Sequence, residues 1–147
     1  MDHDNRADAF RDWQLLAQVC LAYRSLSDTL MDQIDMHRAQ AALLCRLFSQ
    51  DGLTQSELAD QLAVQGATVT NMLQRMEETG LVSRRRDDDD NRLVRVNLTE
   101  AGRERERAIT DQFVKLEHAV FEGISDDDRA RLRQLLRQML HNMTAKA

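Results

Sequence analysis

The feature that most constrains this chain is a change of hydrophobic period. From about residue 8 to residue 80, apolar side chains recur at helical spacing. Between Leu81 and Leu98 the period drops to two. Leu93-Val94-Arg95-Val96-Asn97-Leu98 alternates, with Val94, Val96 and Leu98 on one face, and Leu81 to Arg86 is a second candidate strand. The intervening Asp87-Asp88-Asp89-Asp90-Asn91-Arg92 is a polar turn, because Asp and Asn side chains bond nearby backbone. A two-stranded hairpin is marginal on its own, so this one must pack on helices. The expected fold class is therefore mostly α (α+β): six helices carrying one β-hairpin.

Composition agrees. The chain has 147 residues, no proline and only 5 glycines, and is rich in helix formers. Its length suits one domain over residues 1–147. The net charge of −5 argues against bulk polyanion binding. It leaves room for a local basic patch, since charges act over about 8–10 Å. Two cysteines, Cys20 and Cys45, cannot make a disulfide framework. The charged start MDHDNRADAF lacks a secretory h-region, and no window approaches ~18 apolar residues. A cytoplasmic protein with no membrane partner is expected.

Residues 8–31 read as one long helix with two stripes. One stripe is Phe10, Trp13, Leu16, Ala17, Cys20 and Arg24; the other is Leu15, Val19, Ala22, Leu26 and Leu30. Two stripes require burial on two sides, supplied by a partner subunit or by a monomer's own core. A second helix spans 36–50 and stops at Asp51-Gly52. Thr54-Gln55-Ser56-Glu57 is a capping box opening a third. Gly66 marks a turn, and a fourth helix runs from about Ala67 to Thr79. Its inward positions are Val69, Met72, Leu73 and Met76, and Gly80 ends it. Thr99 caps a fifth helix reaching about Glu122, and Ser125 caps a sixth with acids in its first turn.

Helix, short capped helix, turn, helix, hairpin is the order of a helix-turn-helix with a wing. The fourth helix shows a small, polar outer side that a major groove about 12 Å wide would admit. Asn71 and Gln74 suit adenine edges, Arg75 guanine or phosphate, and the threonine methyls thymine. The competing reading is a solvated helix face. In the hairpin, Arg84, Arg85, Arg86, Arg92 and Arg95 stand against Asp87 to Asp90, with Arg on the strands and Asp at the tip. A tip arginine suits a narrow minor groove, and Asp90 is placed to orient Arg92.

The stretches Gly52 to Ala59, Thr68 to Leu73 and Glu77 to Val82 resemble the MarR family of bacterial transcription regulators. The signature D-x-R-x5-L-T stands as Asp90-Asn91-Arg92 with Leu98-Thr99, followed by Glu100-Ala101-Gly102. The resemblance covers roughly residues 10–143. It implies a non-enzymatic, DNA-binding homodimer, with residues 8–35 and 103–145 for dimerisation and 36–102 as the winged helix-turn-helix. It places recognition on Gln65, Ala67, Thr68, Thr70, Asn71, Gln74 and Arg75. Wing contact falls on Arg92 supported by Asp90, with Arg84 and Arg86 as phosphate candidates. Double-stranded DNA carrying a pseudo-palindrome follows from two-fold symmetry. Repression, and release by a small phenolic or anionic effector, are family-level expectations. Trp13, Tyr23, His37 and Arg38 are the weak pocket candidates. The run Asp87 to Asp90 departs from the family pattern.

Three rivals are weaker. A redox sensor needs an accessible, low-pKa thiol, yet the place of the family's peroxide-sensing cysteine is held here by about Trp13. A metal-responsive regulator needs clustered ligands, whereas His3, His37, His118 and His141 are scattered. A helical scaffold that binds protein has no use for Arg92. No cofactor or metal is expected, and no catalytic motif is present.

Overall fold

The computed structural model describes residues 3–145, with side chains from Phe10 onward. Its elements are α1 (His3–Asp32), α2 (Arg38–Ser49), α3 (Gln55–Leu62), α4 (Gly66–Glu78), β1 (Val82–Arg86), β2 (Val94–Leu98), α5 (Glu100–Glu104), α6 (Glu106–Phe121) and α7 (Asp126–Thr144). The expected fifth helix is thus broken at Arg105, whose N–H bonds the Gly102 carbonyl in a tightened turn. The Arg105 guanidinium donates to the Ile34 carbonyl just beyond α1. With α5 and α6 taken as one interrupted helix, the six-helix order holds.

The chain divides into two compact units, Met1–Phe113 and Val114–Ala147. The division falls within α6. In the first unit, Met31, Leu43, Leu44, Leu47, Leu58, Val69, Leu73, Met76, Val96 and Ile109 form a core with essentially no exposure. The inward side of α4 is the one its spacing predicts: Val69, Leu73 and Met76 are buried and Met72 packs against the same cluster. β1 and β2 pair antiparallel, Val82 opposite Leu98 and Arg86 opposite Val94. Val96 N–H also bonds the Leu53 carbonyl at 2.9 Å, so the chain before α3 clips onto the hairpin.

Local chemistry sets the ends. Thr54 Oγ1 accepts from Glu57 N–H (3.2 Å) and Glu57 Oε2 accepts from Thr54 N–H (2.7 Å), the reciprocal box read from the sequence. These bonds hold the Glu57 carboxyl below its ordinary range, the Thr54 backbone donor first. Gly52 and Gly80 take the left-handed conformation after α2 and α4, φ 79° and 75°. The turn between α3 and α4 differs from expectation. Gly66 is the first residue of α4 and has no positive φ; the left-handed residue is Ala63, φ 53° and ψ 42°. α2 starts later than residue 36, because Met36 is buried in the preceding loop and His37 caps the helix, its Nδ1 accepting from Ala39 N–H at 3.2 Å.

Every residue of both α1 stripes is exposed or half-buried. Near its end Ser27 and Met31 are buried. Earlier, Phe10, Trp13, Leu15, Val19, Leu21 and Tyr23 lie open, Trp13 at 66%. In the second unit, Arg129 pairs with Glu117 and lies 4.4 Å over the Phe121 ring. Ser125 caps α7, accepting from Asp128 N–H at 3.2 Å. No described residue of α7 is buried, and Leu135, Leu136, Leu140 and Met143 are exposed. No helix among the described residues is long and apolar enough to cross a membrane.

Candidate nucleic-acid interface

The geometry starts from how α4 is seated. Leu58 and Ala59 of α3 are buried, as is one side of α4, so the remaining sides of α4 face outward. Gln65, Ala67, Thr68, Thr70, Asn71, Gln74 and Arg75 are all exposed. They cover about three turns of one helix, the length a groove accepts. Gln65 is the N-cap residue but makes no side-chain cap bond. Thr70 Oγ1 donates to the Gly66 carbonyl (3.0 Å) and accepts from Gln55 Nε2 (3.2 Å). Gln74 Nε2 donates to Glu78 Oε1 at 3.3 Å.

The hairpin tip is built around two carboxylates. Asp90 holds Arg92 through a fork: Nε to Oδ1 at 3.0 Å and Nη2 to Oδ2 at 2.9 Å. Asp90 Oδ1 also accepts from Arg92 N–H at 3.0 Å. The Arg92 side chain is nonetheless 90% exposed, oriented at one edge and open elsewhere. The bonds from Arg92 hold the Asp90 carboxyl below its usual range, and Asp90 in turn raises the Arg92 guanidinium.

Asp87 is the second carboxylate, and sequence reasoning did not single it out from its neighbours. It is nearly buried. Arg95 Nε donates to it, and the Asp89 and Asp90 N–H groups bond its Oδ1, both at 2.9 Å. Arg95 foremost, then those backbone donors, depress its carboxyl pKa, and Asp87 raises that of Arg95. Arg95 Nη1 also donates to the Gly52 carbonyl at 2.9 Å. Of the four acids of the turn, Asp87 and Asp90 are therefore engaged internally, while Asp88 and Asp89 are exposed.

The phosphate candidates separate. Arg84 is half-buried; its Nε bonds Glu77 Oε2 at 2.9 Å and its Nη1 bonds Gln55 Oε1 at 3.3 Å. It braces β1 against α3 and α4. Its signal was the strand period itself, since Arg84 shares a face with buried Val82. Arg86 is exposed and donates from Nη1 to the Asn91 carbonyl at 2.7 Å, closing the tip.

A cleft of about 470 Å³ lies between the start of α2 and α4, lined by His37, Ala39, Gln40, Thr68, Asn71, Met72 and Arg75. Of the four pocket candidates, His37 lines it. Arg38 instead pairs with Asp28 at 2.8 Å. Trp13 and Tyr23 are exposed on α1, where Trp13 stacks on Phe10 with ring centroids 6.5 Å apart. Cys45 is half-buried, and burial pushes its thiol pKa up, with Arg46 opposing; Cys20 is exposed. Among the described residues, no group of three or more His, Cys, Asp or Glu is placed to hold a metal ion.

Comparison with known proteins fits this geometry. The MarR family profile matches residues 36–94. A Bacillus subtilis HTH-type transcriptional regulator, YdgJ, is 32% identical over 106 residues, 72% of this chain and 65% of its own length. The organic hydroperoxide resistance transcriptional regulator of Bacillus subtilis is 37% identical over 73 residues, half of each chain. The chain thus spans between half and two thirds of these two relatives. The transcriptional repressor IacR of Pseudomonas putida is 26% identical over 96% of this chain and 87% of its own. Among solved structures, the S. aureus MepR–DNA complex superposes with a TM-score of 0.81 at 28% identity, covering 88% of this chain and 96% of that one. These relatives are named as regulators, not enzymes. The profile match, the relatives and the winged-helix fold agree in likening this chain to the MarR family.

Proposed function

We propose that this protein is a homodimeric, DNA-binding transcription repressor whose affinity for DNA is set by a small effector. The observation that carries the reading is the pairing of two elements. The outward side of α4 holds small and polar side chains, and the wing beside it ends in a forked, 90%-exposed Arg92. The helix suits base edges in a major groove, and the guanidinium suits the negative potential of a minor groove. The relative solved with DNA and sharing this fold supports the assignment.

The bare apolar residues of α1 and those of α7 support the dimer, since exposed patches of this kind mark association surfaces. Two-fold symmetry then requires two half-sites about one helical turn apart, hence a pseudo-palindromic operator. The cleft beside α4 supports the effector. His37 and Arg75 suit an anionic or phenolic ligand, and Thr68, Asn71 and Arg75 belong both to the cleft and to the DNA-facing side. A ligand seated there favours the DNA-free state, which is the condition for release. Cys45 lacks the activated thiol that a peroxide sensor requires.

The test is fluorescence anisotropy on DNA upstream of the protein's own gene, wild type beside Arg92→Ala, at two salt concentrations. Tight, salt-sensitive binding that weakens in the variant is the expected result. Equal and weak binding by both proteins, followed by no enrichment from a genomic fragment library, overturns the reading.

A further inference from the structure

We infer that Thr70 reads a thymine methyl group and not a hydrogen-bonding base edge. The inference rests on the DNA-binding reading above and adds a specificity to it. A threonine on a recognition helix can offer a groove its hydroxyl or its methyl. Thr70 is exposed on the N-terminal half of α4, the part of such a helix that meets bases.

Its hydroxyl proton and one of its two lone pairs are already committed. The single proton goes to the Gly66 carbonyl one turn back, at 3.0 Å. The oxygen accepts from Gln55 Nε2 at 3.2 Å. Gln55 is anchored in turn, its Oε1 accepting from Arg84 Nη1 at 3.3 Å. Arg84 is fixed by Glu77 at 2.9 Å. The relay Glu77–Arg84–Gln55–Thr70 thus joins α4, β1 and α3 and ends on one hydroxyl. Turning that hydroxyl toward a base breaks both of its bonds. The group on Cβ with no competing bond is the Cγ methyl. The only methyl in the major groove belongs to thymine, and the two fit as an apolar contact. Gln55 is the positioning residue that holds this choice in place.

The experiment begins with a duplex recovered by the wild-type protein from a randomised pool. Each thymine is replaced in turn by deoxyuridine, which removes only the methyl. Affinities are measured for wild type, Thr70→Val and Thr70→Ser, and the readout is the thymine-to-uracil ratio within each protein. A general loss of stability or affinity therefore cancels. One symmetry-related thymine pair should show a ratio of about fourfold per methyl, or about fifteenfold for both half-sites. Thr70→Val, which keeps a methyl, should retain the ratio, and Thr70→Ser should bring it to one. Retention of the ratio by Thr70→Ser, or its loss in Thr70→Val, means the thymine methyl is not met by the Thr70 methyl and overturns the inference. So does wild-type binding indifferent to every uracil. Failure of the wild type to recover any duplex overturns the DNA-binding reading itself.

Discussion

Gly102→Ala tests whether the wing is fastened to the helices by a backbone contact. Gly102 is buried at the start of α5. A Cβ built there stands 2.1 Å from the Leu81 carbonyl oxygen and 3.3 Å from Leu98 Cδ2. Reaching 3.0 Å requires the two backbones to part by roughly 0.9 Å (3.0 minus 2.1). That movement lengthens Thr99 N–H to Leu81 O, now 3.2 Å, and Thr99 Oγ1 to Gly80 O, now 2.5 Å. Overpacking of this kind costs about 1–3 kcal/mol. A lost hydrogen bond adds about 1 kcal/mol, and alanine's better helix propensity returns about 0.5–1 kcal/mol. The net is about 1–3.5 kcal/mol, a large share of a domain's ~5–15 kcal/mol. Urea denaturation followed by circular dichroism reads it as a lower midpoint at unchanged slope. Gly80→Ala is the control: φ is 75° but nothing lies within 4 Å of the new Cβ, so only about 1–2 kcal/mol of left-handed strain applies. A Gly102→Ala midpoint within ~0.5 kcal/mol of wild type would refute the steric argument, since that is the range of ordinary surface changes.

Ala63→Gly should stabilise the protein by about 1 kcal/mol in thermal unfolding, because Ala63 sits at φ 53° where only glycine is unstrained. Asp87 and Asp90 have depressed carboxyl pKa values, so their contribution to wing order is full above about pH 3.9, the ordinary Asp value, and is lost as pH falls through the lower folded values. Amide exchange of residues 87–92 should quicken over that acid window, and Asp87→Asn should flatten the dependence. Burial raises the Cys45 thiol, so the pH midpoint of its alkylation should lie above that of a free cysteine, as mass spectrometry of the labelled peptide would record.

The parts legible in the sequence are those where one residue type carries one physical meaning. Val69, Leu73 and Met76 fall inward because helical spacing leaves no alternative, and Thr54 with Glu57 can close only one kind of cap. Ala63 was illegible because left-handed backbone defaults to glycine, and nothing in the sequence marks an exposed alanine that takes it at the end of α3. Asp87 was illegible for another reason. Four identical acids in a row carry no ranking, and only the strand register brings the first of them beside Arg95. Arg85 stands directly opposite Arg95, a like-charge pair that disfavours the hairpin until Asp87 engages one member. The Gly102 requirement was present as a motif but not as a cause. The cause is a carbonyl twenty-one residues earlier in the chain, at Leu81.

α7 gives the last consequence. It is 19 residues long and none of them is buried. Most helical stability in proteins comes from packing an amphipathic face. Its order must therefore be lent by whatever covers Leu135, Leu136, Leu140 and Met143. If that cover is a second subunit, the subunit concentration enters the folding equilibrium by mass action. Abundance then tunes two quantities with one variable: how much regulator is present, and what fraction of it has a shape that can act.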